Sequence, residues 1–548
     1  MLKTKILPQT EEAYAYPLLI KRILADSLKY EPNNEIVYRD LTRYNYFELN
    51  KRIRKLANVL KNLGVKAGDV VAALEYDSPR YLELFFAVPM IGAVLHTVNY
   101  RLSPEQVLYT MNHAEDKIVF TNTDFIPILK GIKDKLTVSV PCILMTDKEE
   151  LPEEELIISG EYEELLRSAS DQYDFPDFDE NSVATMFYTT GTTGNPKAVY
   201  FSHRQLVLHT LAGGMLFGSY DSVCRFRSDD VYMPITPMFH VHAWGVPYLA
   251  TMLGVKQVYP GRYEPEMLLR LLLSEKVTFS HCVPTILHML VSSPVAKAID
   301  LSHWKVVIGG AALPAGLAKA ASELDIDVIT GYGMSETCPI LTTTYMNKED
   351  RKLDMDKQVD LRTKTGVPIP LAELKVVDEN MNPLPHDGVS VGEIVTRTPW
   401  LTQSYYKEEE KSKDLWKGGY LHTGDVAYVD KRNFFKITDR IKDVIKTGGE
   451  WISSLELENL ISKHSAVSEV AVVGVPDAKW SERPYAIVVP KEGEEATSEE
   501  IQQFLQEFVN NGTIAKWAIP SRIDFVTAIP KTSVGKIDKK RIRAEYKE

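Results

Sequence analysis

The sequence predicts an α/β fold in which a large N-terminal domain, built of α/β subdomains, precedes a small and mobile α/β C-terminal domain. Strand-type and helix-type segments alternate from about residue 35 to the end, which is the order of α/β construction. A chain of 548 residues is too long for one hydrophobic core. The pattern changes near residue 440, after a charged segment typical of a linker. We therefore predict domains at residues 1–439 and 440–548, with a hinge near 439–443.

The clearest local unit begins with a short apolar and aromatic run at residues 183–188, which predicts a buried strand. A loop rich in Thr and Gly follows, and residues 198–201 can pair as a second strand. Ser202 has Gln205 three residues later, a capping-box pattern that predicts a helix through His209. Strand, loop, strand and helix are therefore expected in succession.

Two similar strand-and-loop units follow, and the small domain contains predicted strands and helices of its own. Residues 306–308 predict a strand that runs into Gly309, and Pro314 is suited to the first turn of the next helix. Val328 and Ile329 begin another strand-type run. In the small domain, helix starts of the capping-box type and strand-type runs are expected at Ser453, residues 470–473, residues 485–489 and Thr497.

Composition excludes several classes of protein. The net charge is −12 and no basic stripe is present, so a nucleic-acid partner is not expected. Residues 85–98 are apolar but contain Pro, Gly and His, so they predict buried core and not a membrane segment. The N-terminus has no signal-peptide pattern, and the four dispersed cysteines predict reduced thiols. A cytoplasmic protein is therefore expected.

The loop between the first two predicted strands carries the strongest chemical signal. Four threonines and two glycines offer hydroxyls and open backbone N–H groups, and a lysine adds a cation, which suits a polyphosphate. A surface turn is the alternative for such a loop taken alone. It is not a Walker loop, because Gly-Lys-Ser/Thr is absent, and the later Gly535-Lys536 pair is followed by Ile537. Its residues are Thr189, Thr190, Gly191, Thr192, Thr193, Gly194 and Lys197.

With four later segments, this loop resembles the ordered motifs of the adenylate-forming superfamily, which includes acyl-CoA synthetases, luciferases and peptide-synthetase adenylation domains. The four segments are residues 331–337, 420–425, 439–443 and 530–536. The resemblance covers nearly the whole chain and is strongest to bacterial long-chain fatty acyl-CoA synthetases, notably at residues 87–99, 237–244, 448–454 and 476–484. Two positions depart from the family pattern, because Ala198 and Ser404 stand where glycine is usual.

The resemblance implies an ATP-dependent acid–CoA ligase that uses Mg²⁺ and makes an acyl-AMP intermediate. The loop, including Thr189, would hold the β- and γ-phosphates. Glu336 would be the Mg²⁺ ligand, since Mg²⁺ takes one or two carboxylates beside phosphate oxygens. Asp425 and Arg440 would bind the ribose, and Tyr332 would stack on adenine. The remaining nucleotide-site residues are Gly310, Ala311, Ala312, Gly331, Gly333, Met334 and Ser335; simple tight packing is the alternative for residues 310–312.

Two lysines are implied for the two half-reactions. Lys536 would bridge the reacting carboxylate and the α-phosphate, a task suited to a point cation on a flexible stem. The small domain would then rotate about Lys442 and bring in Lys446 for thioester formation. Gly449 and Trp451 would line the pantetheine tunnel of coenzyme A.

The expected substrate is a small carboxylic acid. His240 and Trp244 match acyl-pocket residues, and Gly333 replaces the bulky tryptophan that closes the pocket of acetyl-CoA synthetases. Medium- or long-chain fatty acids are therefore expected, with a short hydroxylated acid such as 4-hydroxybutyrate as the alternative.

Other functions remain open at this point. They are a luciferase-like oxygenase, a carrier-protein loading domain and a non-catalytic binding protein. The chain ends soon after Lys536, which leaves no room for a carrier domain, and retention of the charged site residues argues against a non-catalytic protein. A homodimer formed through the N-terminal domain is the assembly that the resemblance implies.

Overall fold

The computed structural model describes residues 4–5, 7–147, 158–189, 195–447, 450–477, 479–494, 496–532 and 535–546. Its α-helices are α1 (Lys21–Tyr30), α2 (Tyr46–Asn62), α3 (Pro79–Met90), α4 (Pro104–Ala114), α5 (Ile126–Ile132), α6 (Tyr162–Ser168), α7 (His203–Ser219), α8 (Val241–Trp244), α9 (Val246–Leu253), α10 (Pro265–Ser274), α11 (Pro284–Val291), α12 (Ala315–Ser322), α13 (Met355–Arg362), α14 (Glu409–Leu415), α15 (Ser454–Ile461), α16 (Ser498–Asn510) and α17 (Lys539–Glu545).

The strands are β1 (Glu35–Tyr38), β2 (Thr42–Asn45), β3 (Val70–Leu74), β4 (Val94–Thr97), β5 (Asp116–Asn122), β6 (Cys142–Met145), β7 (Ile158–Glu161), β8 (Val183–Thr189), β9 (Lys197–Ser202), β10 (Val231–Ile235), β11 (Lys256–Tyr259), β12 (Phe279–Cys282), β13 (Lys305–Ile308), β14 (Asp327–Gly333), β15 (Ile340–Thr343), β16 (Val367–Pro368), β17 (Glu373–Val377), β18 (Gly392–Arg397), β19 (Trp416–Lys417), β20 (Tyr420–Val429), β21 (Phe435–Arg440), β22 (Ile445–Thr447), β23 (Glu450–Ile452), β24 (Val467–Asp477), β25 (Ser481–Pro490) and β26 (Arg522–Phe525).

Two large sheets form the body of the protein. One has the strand order β7-β6-β5-β3-β4-β8-β9 and is parallel except for the β8–β9 pair. The other has the order β16-β15-β14-β13-β12-β10-β11-β1-β2 and is parallel from β14 to β1. Parallel strands are buried on both faces, which explains their continuous apolar runs.

Helix α3 joins the two large sheets. Ser78 caps its first turn by accepting a hydrogen bond from the Tyr81 backbone N–H, and Pro79 occupies the first helical position. Every residue of α3 is buried, and the helix contacts strands of both sheets. A largely apolar helix is expected at such a position, and its two buried charged residues, Arg80 and Glu83, are both in ion pairs.

A third sheet, with the order β17-β18-β20-β19 and with β21 paired to β20, carries the end of the large N-terminal part. It is antiparallel throughout. The fourth sheet, β23-β22-β25-β24 with β26 beside β25, belongs to the small C-terminal part. Apolar clusters on its two faces, one around Leu457 and one around Ile487, give this part hydrophobic packing of its own.

The predicted α/β fold is confirmed. Strands β8 and β9 pair antiparallel, and the capping box at Ser202 is formed. Helix α7 continues to Ser219, well past His209, because its apolar pattern continues after the first turns. The strand predictions near residues 306, 328, 470 and 485 are also confirmed by β13, β14, β24 and β25, and the helix starts at Ser453 and Thr497 by the caps of α15 and α16.

One local prediction is wrong. Pro314 was expected within the first turn of a helix, but its extended backbone makes it the N-cap residue of α12.

The segment predicted as buried core is helix α3 continued into β4. Among the described residues, no helix combines the length and apolar character needed to cross a bilayer.

Candidate active site

A cleft of about 2560 Å³ lies at the carboxyl edge of the second large sheet, between the third sheet and the small C-terminal part. Segments that follow parallel strands β10, β12, β13 and β14 line it, as expected for ligand sites of open α/β sheets. The predicted site residues among its lining are Thr189, Lys197, His240, Trp244, Gly310, Ala311, Ala312, Gly331, Tyr332, Gly333, Met334, Ser335, Glu336, Asp425, Arg440, Lys442 and Lys536.

The predicted phosphate loop joins β8 to β9. Thr189 ends β8 and Lys197 begins β9, and the two residues are partners in the antiparallel register. Both are half-buried at the cleft. The loop residues between them, Thr190, Gly191, Thr192, Thr193 and Gly194, lie outside the described residues. The two strand ends fix where this loop starts and returns.

Glu336 is a buried carboxylate in a 3₁₀ turn directly after β14. The hydroxyl of Tyr405 donates a hydrogen bond to its Oε1 at 2.6 Å. The ammonium of Lys197 lies 4.5 Å from the centroid of the Tyr405 ring, in cation–π geometry. One tyrosine therefore contacts both the predicted metal ligand and the predicted phosphate-loop lysine.

Asp425 lies in β20 directly opposite Arg440 in β21. The Arg440 Nε is 3.1 Å from Asp425 Oδ1, and the Tyr332 hydroxyl donates to Oδ2 at 2.8 Å. Burial and the nearby Asp425 carboxylate raise the pKa of Tyr332 well above its ordinary value, so the phenol stays protonated and keeps donating. The third sheet thus fixes an acidic group with both oxygens oriented.

Lys536 reaches the cleft from the small C-terminal part. Its Cε lies 3.3 Å from the position that a Cβ on Gly310 would occupy. Gly310 has a φ of +77°, which glycine tolerates best. Burial, and next Arg440, lower the pKa of Lys536 to about 8, although Asp425 and Glu336 oppose this shift. Lys536, Asp425 and Glu336 are therefore close enough to interact electrostatically.

Contacts between the two parts of the chain hold Lys536 in this place. The Thr285 hydroxyl donates to the Gly535 carbonyl at 3.4 Å. Asn459 Oδ1, on α15, accepts the backbone N–H of Ala315 at 3.2 Å. Because Pro314 has no side-chain cap to offer, an asparagine from the small part caps the N-terminus of α12.

The predicted hinge lies between two ion pairs. Arg440 is paired with Asp425 on the N-terminal side, and Asp443 is paired with Arg543 of α17 at 2.6 Å. Lys442 lies between these anchors and lines the cleft.

The lysine predicted for thioester formation lies outside the cleft. Lys446 on β22 is exposed and does not line the cleft, and its backbone N–H donates to Glu482 Oε2 at 2.8 Å. Gly449 lies outside the described residues, as does the side chain of Trp451. The structure therefore brings Lys536 to the site and leaves Lys446 away from it.

His240 and Trp244 lie on the segment after β10. Val241, His242, Ala243 and Trp244, which make up α8, all have φ between +47° and +60°, so α8 is a single left-handed turn, a conformation that costs roughly 1–2 kcal/mol per residue. The Trp244 ring packs near His281, with centroids 5.0 Å apart. A Cβ on Gly309 would lie 2.9 Å from Trp244 Cη2, so this glycine allows the indole to reach the cleft. Burial lowers the pKa of His240 to about 3, which keeps the imidazole neutral.

Gly333 has a packing role in addition to its predicted effect on the acyl pocket. A Cβ at this position would lie 1.7 Å from the Pro339 carbonyl oxygen. The β14–β15 register shifts between Tyr332 and Gly333, which brings the two backbones together. Glycine is therefore required here by close backbone approach.

Three residues of the site were missed by sequence reasoning. Tyr405 follows Ser404 in a segment noted only for its missing glycine, and Asn459 lies inside an ordinary amphipathic helix. Gly309 was treated only as the end of a strand. Short sequence patterns do not reveal these three roles, because each role depends on a contact made across more than 60 residues of sequence.

The fold and the cleft define an α/β enzyme with a nucleotide-binding cleft, to which the small C-terminal part supplies a lysine. A family model described as AMP-binding enzyme matches residues 24–406. A second, described as AMP-binding enzyme C-terminal domain, matches residues 456–536. The chain belongs to the family of AMP-binding enzymes, and the resemblance predicted from its motifs is confirmed.

Relatives and a solved structure agree with this assignment. A long-chain-fatty-acid–CoA ligase of Thermus thermophilus is 41% identical, over 93% of this chain and 91% of that protein. A 3-methylmercaptopropionyl-CoA ligase of Ruegeria lacuscaerulensis is 38% identical, over 97% and 98%. The crystal structure of an anthranilate–CoA ligase with anthranoyl-AMP superimposes with a TM-score of 0.85 at 24% identity, covering 96% of this chain and 98% of that one; this likeness concerns the fold.

Proposed function

We propose that the protein is an ATP-dependent, AMP-forming acid–CoA ligase that acts on medium- or long-chain fatty acids. The observation that carries this proposal is the placement of Lys536. It comes from the small C-terminal part and enters a cleft whose walls carry Glu336 and Asp425. A cation beside two fixed carboxylates suits a reaction between two anions, a carboxylate and a nucleotide phosphate.

In the first half-reaction, a carboxylate oxygen of the acid attacks the α-phosphorus of ATP, and the bond to pyrophosphate breaks. Lys536 would lie between the two reacting anions and offset their repulsion. Asp425 would accept hydrogen bonds from the ribose, since its oxygens are already oriented by Tyr332 and Arg440. The products of this step are acyl-AMP and pyrophosphate.

The donor set suits a magnesium ion that arrives with ATP. Among the described residues, no group of three or more His, Cys, Asp or Glu side chains could hold a metal ion alone. Glu336 is one of the buried carboxylates that line the cleft, and Mg²⁺ commonly combines one or two carboxylates with phosphate oxygens. When bound, the ion would neutralise phosphate charge, and Glu336 would supply a carboxylate ligand to it.

In the second half-reaction, the thiol of coenzyme A attacks the acyl carbonyl and AMP leaves. The approach of the thiol requires Lys536 to withdraw. We place the division between domains 1–439 and 440–548 at the hinge, with Lys442 as pivot, because ion pairs anchor the chain on both sides of it. Rotation would bring Lys446, together with Gly449 and Trp451, to the cleft.

The acyl site is the part of the cleft around Trp244. Its lining includes Phe217, Phe279 and Val307, which are buried apolar residues. Such a surface favours an alkyl chain over acetate. The second candidate is a ligase for a short functionalised acid. The relative named for 3-methylmercaptopropionyl-CoA, at 38% identity, favours it.

The test is AMP release with ATP, Mg²⁺ and coenzyme A across acetate, butyrate, 4-hydroxybutyrate, 3-methylmercaptopropionate, hexanoate, octanoate, palmitate and cinnamate. A maximum at octanoate or palmitate is expected. A maximum at a four-carbon or methylthio acid would replace the fatty-acid proposal with the second candidate. No AMP release with any acid, from protein that binds ATP, would reject the ligase function itself.

Separate half-reactions test the two lysines. Lys536→Ala should abolish pyrophosphate exchange while leaving the fold intact. Lys446→Ala should keep the exchange and lose acyl-CoA formation from supplied acyl-AMP. Equal effects of both changes on both steps would reject the division of labour.

Assembly and location are proposed from the resemblance alone. We propose a homodimer formed through the N-terminal domain, working in the cytoplasm on small molecules without a nucleic-acid partner. Light scattering of the full chain and of residues 1–439 tests the dimer, since each should give twice the mass of its own polypeptide. A monomeric N-terminal domain would contradict it.

A further inference from the structure

Tyr405 lies at the meeting point of three parts of the site. Its hydroxyl donates to Glu336 Oε1 at 2.6 Å, and its ring lies under the Lys197 ammonium at 4.5 Å. It is buried, with 7% of its surface exposed. A buried phenol normally has a hydrogen-bond partner, and here the partner is the predicted metal ligand.

The backbone around Tyr405 is fixed on both sides. The Thr402 backbone N–H donates to the Glu336 carbonyl at 3.0 Å, and the Tyr406 N–H donates to the Ala198 carbonyl at 3.0 Å. The Tyr405 N–H donates to the Ser412 hydroxyl at 3.0 Å. These bonds tie the strap at residues 402–406 to the turn that carries Glu336 and to strand β9. The phenol is therefore held rigidly against the carboxylate.

The hydrogen bond gives the two carboxylate oxygens of Glu336 different surroundings. The Tyr405 hydroxyl donates to Oε1. Among the described residues, Glu336 Oε2 receives no hydrogen bond, so the second oxygen is the one left for a cation.

We propose that Tyr405 is a positioning residue that orients Glu336 for Mg²⁺·ATP through the hydrogen bond to Oε1. This inference rests on the proposed function for the identity of the nucleotide, and it adds a residue to which the motifs gave no role. Hydrogen-bond partners of metal-binding carboxylates commonly change metal affinity about 10- to 100-fold when removed. The ring also contacts Lys197, so that the metal ligand and the loop lysine are set relative to each other by one side chain.

The test compares Tyr405→Phe with Tyr406→Phe, its neighbour in the same strap. Tyr406 contacts His113 and not Glu336, so it is a matched control. Mn²⁺ binding is measured by electron paramagnetic resonance with α,β-methylene-ATP, which cannot react. We expect Tyr405→Phe to weaken Mn²⁺ binding by about 10-fold and Tyr406→Phe to leave it unchanged. Tyr405→Phe keeps the ring, so the thermal midpoint should stay close to that of the parent.

Two further measurements separate positioning from a merely structural role. Pyrophosphate exchange by Tyr405→Phe should need about 10-fold more Mg²⁺ for half-maximal rate and recover at saturating Mg²⁺. In a Glu336→Gln background, Tyr405→Phe should have no additional effect on Mn²⁺ binding. Unchanged Mn²⁺ affinity in Tyr405→Phe, an equal loss in Tyr406→Phe, or additive effects with Glu336→Gln would overturn the inference.

The outcome is also separable from that of the proposed function. If the parent protein forms no acyl-CoA from any acid, but Mn²⁺ binding still depends on Glu336 and Tyr405, the ligase proposal fails and this inference stands. If acyl-CoA forms and Tyr405→Phe binds Mn²⁺ like the parent, only this inference fails.

Discussion

Asp425 and Arg440 face each other across the β20–β21 pair, with 3.1 Å between Asp425 Oδ1 and Arg440 Nε. Arg440 is the last residue of β21, and the next strand, β22, belongs to the sheet of the small C-terminal part. The proposed ribose site and the start of the proposed hinge therefore share this pair of residues. Nucleotide binding and domain position are expected to influence each other through it.

Asp425→Asn should weaken ATP binding by roughly 10- to 100-fold, the range for losing a hydrogen bond to a charged group. The amide cannot accept from the ribose and keep Arg440 paired at the same time. Calorimetric titration with ATP measures the change. Asp356→Asn, on the exposed face of α13, should bind ATP like the parent; a similar loss there would point to a general charge effect.

The rate of adenylation should fall above pH 8. In its proposed role Lys536 is a cation, and burial lowers its pKa from the ordinary value of 10.5 to about 8. It is charged below this pH and loses its proton as the pH rises through it. In pyrophosphate exchange, kcat/KM should decline towards tenfold per pH unit above the break, since kcat/KM reports the free enzyme. Lys536→Arg should shift the break to higher pH, and a flat parent profile to pH 10 would contradict the role.

Lys442→Pro should separate the two half-reactions. Proline fixes φ near −65°, which removes rotation at the proposed pivot, and among the described residues no backbone hydrogen bond is donated by Lys442. Pyrophosphate exchange should stay within a few-fold of the parent, while acyl-CoA formation falls at least tenfold. Lys442→Ala is the control and should keep both steps, and a loss of both steps in the alanine variant would count against the pivot.

Gly333→Ala should destabilise the protein by about 1–3 kcal/mol, the usual cost of overpacking. The added Cβ would lie 1.7 Å from the Pro339 carbonyl oxygen, so β14 or β15 must move. Gly131→Ala, at an exposed position of helix α5 with nothing within 4 Å of the added Cβ, should be neutral or stabilising because alanine favours helix. Urea unfolding of both variants measures the difference; equal stability would show that the backbone adapts without cost.

Much of this architecture was predictable, because local rules and ordered motifs agree. Ser202 with Gln205 predicted a capped helix, and the capping box is formed. The motif residues Glu336, Asp425 and Lys536 were predicted to share a site, and they line one cleft. Such residues carry their signal in short patterns of the sequence.

What could not be predicted depends on contacts between distant segments. No sequence pattern marks Tyr405, because its role depends on a contact with Glu336, 69 residues earlier in the chain. The left-handed turn at residues 241–244 contains valine, histidine, alanine and tryptophan, which have no preference for positive φ, so tertiary packing imposes it. No local sequence pattern shows that Lys536, and not Lys446, lines the cleft in this structure.

Because Asn459 caps α12, the stability of this helix in the large domain depends on the position of the small domain. Any rotation that carries α15 away removes the acceptor from the Ala315 N–H, and a lost cap costs a helix about 0.5–2 kcal/mol. The first turn of α12 would then fray, and its amide protons would exchange faster with solvent. Under the proposed rotation, the exchange rate of these amide protons would report the position of the small domain at each stage of the reaction.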